Sequence, residues 1–154
     1  MTTRKSLEGV EELLAAGGHK LTSQRVVILE ALRKQRSTVT AQQLFDELHG
    51  AYPYLGRATV FRNLDALVEV GLARRFERPG HIYAYTSCSA QHHHHLLCSV
   101  CNRSTDIDEA MVAPLLNGLE DRYGFSVEHE ALDFYGICAS CAGQRRGSRP
   151  RHPQ

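Results

Sequence analysis

Two Cys-x-x-Cys pairs constrain this chain more than anything else in it. They are Cys98-Ser99-Val100-Cys101 and Cys138-Ala139-Ser140-Cys141, with 36 residues between them. A tetrahedral zinc ion takes four soft thiolates, and each such turn presents two sulfurs together. The interval is longer than in a compact zinc ribbon, so a strand–helix–strand must fit inside it. The spacing predicts a closed structural zinc site of Cys98, Cys101, Cys138 and Cys141 that ties the end of a small domain to its beginning. A thioredoxin-like redox motif needs only one such pair, so the matched second pair favours metal.

A second cluster precedes the first pair: Cys88 and the run His92, His93, His94, His95. In an extended strand side chains alternate, so His93 and His95 face one side and His92 and His94 the other. Each pair can serve a separate ion, and Cys88 is close enough along the chain to join one of them. Four consecutive histidines beside a cysteine pair favour metal binding over a solvated polar run. Asp106, five residues beyond Cys101, is either an oxygen ligand from a neighbouring strand or an ordinary exposed strand carboxylate. A mixed nitrogen, sulfur and oxygen site at a hinge binds more weakly than four thiolates. It would respond to the available metal and select one conformation from an ensemble.

The first half reads as helices. Leu7, Val10, Leu13 and Leu14 form a stripe ended by Gly17-Gly18, and Thr22 caps a second helix with Val26, Ile28, Leu29 and Leu32. Thr40 and Gln43 form a capping box ahead of Leu44, Phe45 and Leu48. From Arg57 to Val70 the apolar set is Val60, Phe61, Leu64, Leu67 and Val68, and Gly71 follows as the stop. Ala73–Arg78 and His81–Thr86 flank Pro79-Gly80 as a hairpin. Three helices followed by a two-stranded hairpin are the layout of a winged helix, which lays its last helix in the DNA major groove. Beyond a linker around Cys88-Ser89-Ala90-Gln91, strands are expected at Leu96-Leu97, 104–107, 125–130 and 131–137. Ala110–Tyr123 is expected to be a helix with Val112, Leu115, Leu116 and Leu119 inward.

The expected fold class is thus α+β. A winged-helix DNA-binding domain spans residues 1–87, a small α/β metal-binding dimerisation domain 88–142, and a basic disordered tail 143–154. Net charge is only +1 over 154 residues, but it is uneven: +3 in 1–87, −6 in 88–134 and +4 in 135–154. A basic front and an acidic middle suit two units with different partners, one of them polyanionic. With 42% hydrophobic and 23% charged residues, the composition is that of a globular protein rather than a disordered one. The reading includes neither a membrane span nor a secretory signal at Met1–Glu8, so a cytoplasmic setting is expected, where cysteines serve metals rather than disulfides.

Several segments together resemble the ferric uptake regulator family of metal-responsive repressors. They are Leu21-Thr22-Ser23-Gln24-Arg25, Gly56 to Leu64 (Gly-Arg-Ala-Thr-Val-Phe-Arg-Asn-Leu), Gly71-Leu72, the histidine run before Cys98, and Tyr135-Gly136-Ile137-Cys138-Ala139-Ser140-Cys141. The similarity covers about residues 18–142. It implies a homodimer that binds palindromic double-stranded operators when metal-loaded, with Arg57, Thr59, Phe61 and Arg62 on the recognition helix. The family usually carries Tyr where Phe61 stands. Iron-sensing members usually offer a Glu and a His where this chain has Thr86 and Thr38.

Cys88 sits where zinc-sensing relatives supply a thiolate. One thiolate with two imidazoles favours Zn²⁺ over Fe²⁺ or Mn²⁺, so Cys88, His93, His95 and Asp106 are assigned to the regulatory site. Glu77 and His81 are alternatives for its fourth ligand. A third site in many relatives uses residues like His92 and His94 with a Glu and a distal His. Here Ala113 and Glu130 fall at those last two positions.

The expected function is a zinc-sensing repressor of metal-homeostasis genes, with an iron, manganese or peroxide sensor as the alternative within the family. A zinc metalloenzyme or a metal buffer is the rival from another class. Catalytic zinc needs an open coordination position and a nearby base, and the chain has neither an HExxH helix nor a deaminase H-x-E…P-C-x-x-C pattern. The reading is therefore not an enzyme and includes no small-molecule substrate. The helical half argues against a pure buffer.

Overall fold

A computed structural model describes residues 3–88, 93–127 and 132–147. The chain divides into two compact units, 1–90 and 91–154.

In the first unit, α1 (Thr3–Ala16) is followed by α2 (Ser23–Lys34), β1 (Val39–Thr40), α3 (Ala41–His49), α4 (Arg57–Glu69), β2 (Ala73–Arg78) and β3 (Ile82–Ser87). Local chemistry sets the boundaries. The Thr22 side chain accepts from the Arg25 N–H at the start of α2. At α3 the capping box closes in both directions, Gln43 N–H to Thr40 Oγ1 at 3.1 Å and Thr40 N–H to Gln43 Oε1 at 2.9 Å. Each bond satisfies a backbone donor that the first helical turn leaves unpaired. Gly71 leaves α4 at φ 74° and Gly80 turns the hairpin at φ 85°, angles that side chains resist.

Leu14, Ile28, Leu29, Leu32, Leu44, Leu55, Val60, Leu64, Leu67 and Leu72 form a continuous core. The short β1 pairs with β3, giving an antiparallel sheet in the order β1-β3-β2 beside the helices. This is a winged helix, with β2 and β3 as the wing. Phe61 departs from its expected place on the inward stripe. It is 43% exposed, and Asn63 is buried instead, donating its side-chain N–H to the Thr59 carbonyl at 2.8 Å. A helix turns 100° per residue, so the stripe of Val60, Leu64 and Leu67 leaves Arg57, Phe61, Arg62 and Asp65 facing outward.

The second unit holds β4 (His93–Cys98), β5 (Ser104–Asp108), α5 (Glu109–Tyr123), β6 (Asp133–Gly136) and α6 (Ala139–Gly147). β4 is central, antiparallel to β5 and parallel to β6. Three expectations change here. Phe125–Val127 lies outside any strand, and 128–131 lie outside the described residues. Gly124 ends α5 at φ 62°, and Phe125 then stands 69% exposed. Of the four residues expected inward on α5, only Val112 is buried; Leu116 and Leu119 are half-buried and Leu115 is 54% exposed. Residues 143–147, assigned to the tail, continue α6. The helix starts at the second cysteine pair, and backbone bonds such as Ala142 N–H to the Cys138 carbonyl, 2.9 Å, carry it on without apolar periodicity. Residues 148–154 lie outside the described part. Among the described residues, no helix is long and apolar enough to cross a membrane.

Candidate metal centres and nucleic-acid face

The two cysteine pairs meet within the second unit. The first pair turns between β4 and β5, where Asn102 adopts φ 60° and donates its N–H to the Cys98 carbonyl at 2.9 Å. The second follows β6. Ser99 joins them, its backbone N–H and its hydroxyl both donating to the Gly136 carbonyl, at 2.9 and 3.1 Å. The four sulfurs come within 4.8 Å of one another, and Cys101 and Cys138 lie 3.8 Å apart. Zinc–sulfur bonds of about 2.3 Å at tetrahedral angles set sulfurs about 3.8 Å apart, so the cage has the size of that ion.

Its electrostatics divide the sulfurs, lowering Cys98 and Cys138 and raising Cys141. Cys98 is held down to about 6 by the backbone N–H groups of Cys101, Cys138 and Val100, the Cys138 N–H lying 3.3 Å from its sulfur. Cys138 is lowered in the same way by the Cys141 N–H. Cys141 is pushed up to about 12, first by its thiol hydrogen bond with Cys138 and then by burial. Without an ion, Cys98 is the sulfur that ionises most readily and Cys141 the one that keeps its proton. A divalent cation would displace the remaining protons.

β4 builds the second cluster. His93 and His95, two apart, place their rings edge to face with centroids 4.7 Å apart. From β5, where Asp106 pairs with His95 in register, the Asp106 Oδ1 lies 3.2 Å from His95 Nδ1 and 4.0 Å from His93 Nε2. Two imidazoles and a carboxylate thus converge on one face of the strand. Cys88 directly follows β3, its N–H donating to the Leu72 carbonyl at 2.9 Å, and it precedes His93 by five positions.

The opposite face carries His94, which is 1% exposed. Its Nε2 lies 2.7 Å from Oε2 of Glu109, the first residue of α5. Sequence reasoning overlooked Glu109 and looked to Ala113, one helical turn later on the same face; that spacing was the signal that could have found it. His92 and Glu130, the other residues considered for this third site, lie outside the described residues. Glu77 and His81 face each other across the wing hairpin, 2.5 Å between Oε1 and Nδ1. Thr38 and Thr86 are both buried, and the Thr38 carbonyl and hydroxyl accept from the Arg78 guanidinium, the hydroxyl at 2.5 Å.

On α4 the outward face presents Arg57, Phe61 and Arg62, while Thr59 is half-buried. The helix starts at Gly56 without a side-chain cap, and the Thr59 and Val60 N–H groups both donate to the Gly56 carbonyl, at 3.0 and 3.2 Å.

A winged helix joined to a small α/β unit with a four-thiolate cage and a histidine–carboxylate cluster defines a metal-binding regulator architecture. The ferric uptake regulator family model matches residues 16–135, and the chain belongs to that family, whose members are transcription regulators. The zinc uptake regulation protein of Escherichia coli K12 is 28% identical over 158 aligned positions, covering 99% of this chain and 89% of that one. The ferric uptake regulation protein of Campylobacter upsaliensis is 28% identical over 137 positions, 88% of each chain. A zinc uptake regulator solved in complex with zinc and DNA superposes with a TM-score of 0.67 at 26% identity, over 95% of this chain and 99% of that one.

Proposed function

We propose that this protein is a cytoplasmic, zinc-responsive DNA-binding repressor that acts as a homodimer on palindromic operators. The observation that carries the reading is the convergence of His93, His95 and Asp106 on one face of β4, whose first residue His93 comes five positions after Cys88, the residue that follows the wing. In this reading Cys88 joins those three as the regulatory site. The chain from Cys88 to His93 reaches at most about 17 Å when extended, so a bound ion restricts how the winged helix sits on its partner unit. A thiolate and two imidazoles suit Zn²⁺ better than Fe²⁺ or Mn²⁺. Cys98, Cys101, Cys138 and Cys141 hold a second, structural zinc.

The exposed Met111, Leu115, Tyr135 and Ile137 supply an apolar surface that a second copy covers with two-fold symmetry. The two recognition helices must then reach major-groove faces about 34 Å apart. Arg57 and Arg62 supply phosphate or guanine contacts, and Thr59 and Phe61 lie beside them on the helix. Zinc at the hinge selects the pose that meets this spacing. The role is regulatory rather than catalytic, with no small-molecule substrate, and the DNA-reading helix separates it from a metal buffer. Asp106, a hard oxygen donor, favours the second reading of an iron, manganese or peroxide sensor.

The test is operator binding under anaerobic reducing conditions as Zn²⁺, Fe²⁺ or Mn²⁺ is titrated, with wild type, Cys88→Ser and Cys138→Ser. Zinc should promote binding at the lowest free concentration. Cys88→Ser should retain one zinc per chain and a folded dimer but need more zinc to bind DNA, and Cys138→Ser should lose the fold of the second unit. Equal DNA binding with and without regulatory metal would overturn the proposal, and an unchanged zinc requirement in Cys88→Ser would remove Cys88 from the site.

A further inference from the structure

Arg57 opens α4, a turn that contains no acidic residue. A cation at the N-terminus of a helix is opposed by the macrodipole, and the contact this side chain makes comes from a neighbouring helix. The guanidinium carbon of Arg57 lies 5.5 Å from the centroid of the Phe45 ring, within the range of a cation–π contact. Phe45 comes from α3 and packs half-buried against the core. It also stacks against His49, with centroids 5.0 Å apart and ring planes tilted by 32°. The platform is thus anchored on one side to the hydrophobic core while its ring face is available to the arginine.

We propose that Phe45 is a positioning residue for DNA reading, holding the Arg57 guanidinium over its ring in an orientation ready for nucleic acid. This rests on the DNA-binding role proposed above. A guanidinium carries its N–H donors in its plane, so stacking occupies its face and leaves its edges free for a phosphate or a guanine. A long side chain already restrained loses less rotamer freedom on binding than one moving in solvent. Phe45 needs no contact with DNA itself.

The experiment starts from a random-sequence duplex pool, enriched for binding by the zinc-loaded wild-type protein. One enriched duplex is labelled and titrated with wild type, Phe45→Leu, Phe45→Tyr, Arg57→Ala and the Phe45→Leu/Arg57→Ala double variant. Phe45→Leu should weaken binding by roughly 2- to 5-fold. Phe45→Tyr, which keeps the ring, should bind like wild type. In the Arg57→Ala background, Phe45→Leu should cost nothing further, since the ring then has no guanidinium to hold. A role confined to packing would weaken both backgrounds equally and leave Phe45→Tyr no special rescue. That result overturns the proposal, as does wild-type affinity for Phe45→Leu. If no duplex is enriched, the DNA-binding role falls and this inference with it; if one is enriched and Phe45 is silent, only this inference falls.

Discussion

Asp106→Asn is the change that bears most directly on the regulatory cluster. Its Oδ1 stands 3.2 Å from His95 Nδ1 and 4.0 Å from His93 Nε2. The substitution keeps the shape and most of the hydrogen-bonding capacity but removes the negative charge. In metal-free protein the cost to folding is small. The aspartate side chain is 55% exposed, and such pairs contribute at most about 1 kcal/mol after solvent screening. Zinc is affected differently. Whether Asp106 binds the ion or only orients the imidazoles, its loss should weaken affinity about 10- to 100-fold, or about 1.4–2.8 kcal/mol. The assay is competition for zinc against a chromogenic chelator of known affinity, read beside thermal melting of the metal-free protein. The reasoning requires a large loss at the weaker site, an unchanged tighter zinc at the four thiolates, and a melting point within a few degrees of wild type. Wild-type affinity at the weaker site would refute it. A protein that simply melts early would mean that the carboxylate serves the fold.

Two further predictions concern stability. In zinc-free, reduced protein, Cys98 ionises at about 6 instead of about 9, so its contribution is complete above pH 9 and is lost as pH falls toward 6. Cys141, pushed up to about 12, opposes folding only above pH 9; the melting temperature should therefore rise between pH 6 and 9, and a flat or falling profile would contradict the hydrogen-bonded thiolate. Leu64, fully buried in the winged-helix core, should cost about 2–5 kcal/mol on replacement by Ala, and denaturant unfolding with a loss under 1 kcal/mol would show that this core is looser than its packing indicates.

What could be read from the sequence was local. The Thr40–Gln43 capping box, the stop at Gly71 and the turn at Gly80 depend on residues no more than a few positions apart, so their chemistry is visible in the string of letters. The two Cys-x-x-Cys pairs are also local, and their matching chemistry implied one shared cage although 36 residues separate them. Strand alternation likewise separated His93 and His95 from His94 before any pairing was known. The exposed Phe61 was misjudged because it neighbours Val60 on the edge of the inward stripe, where composition alone does not distinguish a core position from a contact position.

Tertiary structure decided the rest, because burial and pairing depend on what other segments bring. Register with β5 set Asp106 beside His95. The carboxylate of Glu109 reaches His94 only because α5 begins directly where β5 ends. Leu115 stayed outward at a position its apolar spacing had placed inward, and α6 extended past the second cysteine pair through backbone bonds that no hydrophobic pattern announces. The sequence by itself determined which groups can bind metal and where helices start and stop, since those are properties of the residues and their near neighbours. Which of those groups face one another is a property of the packed chain.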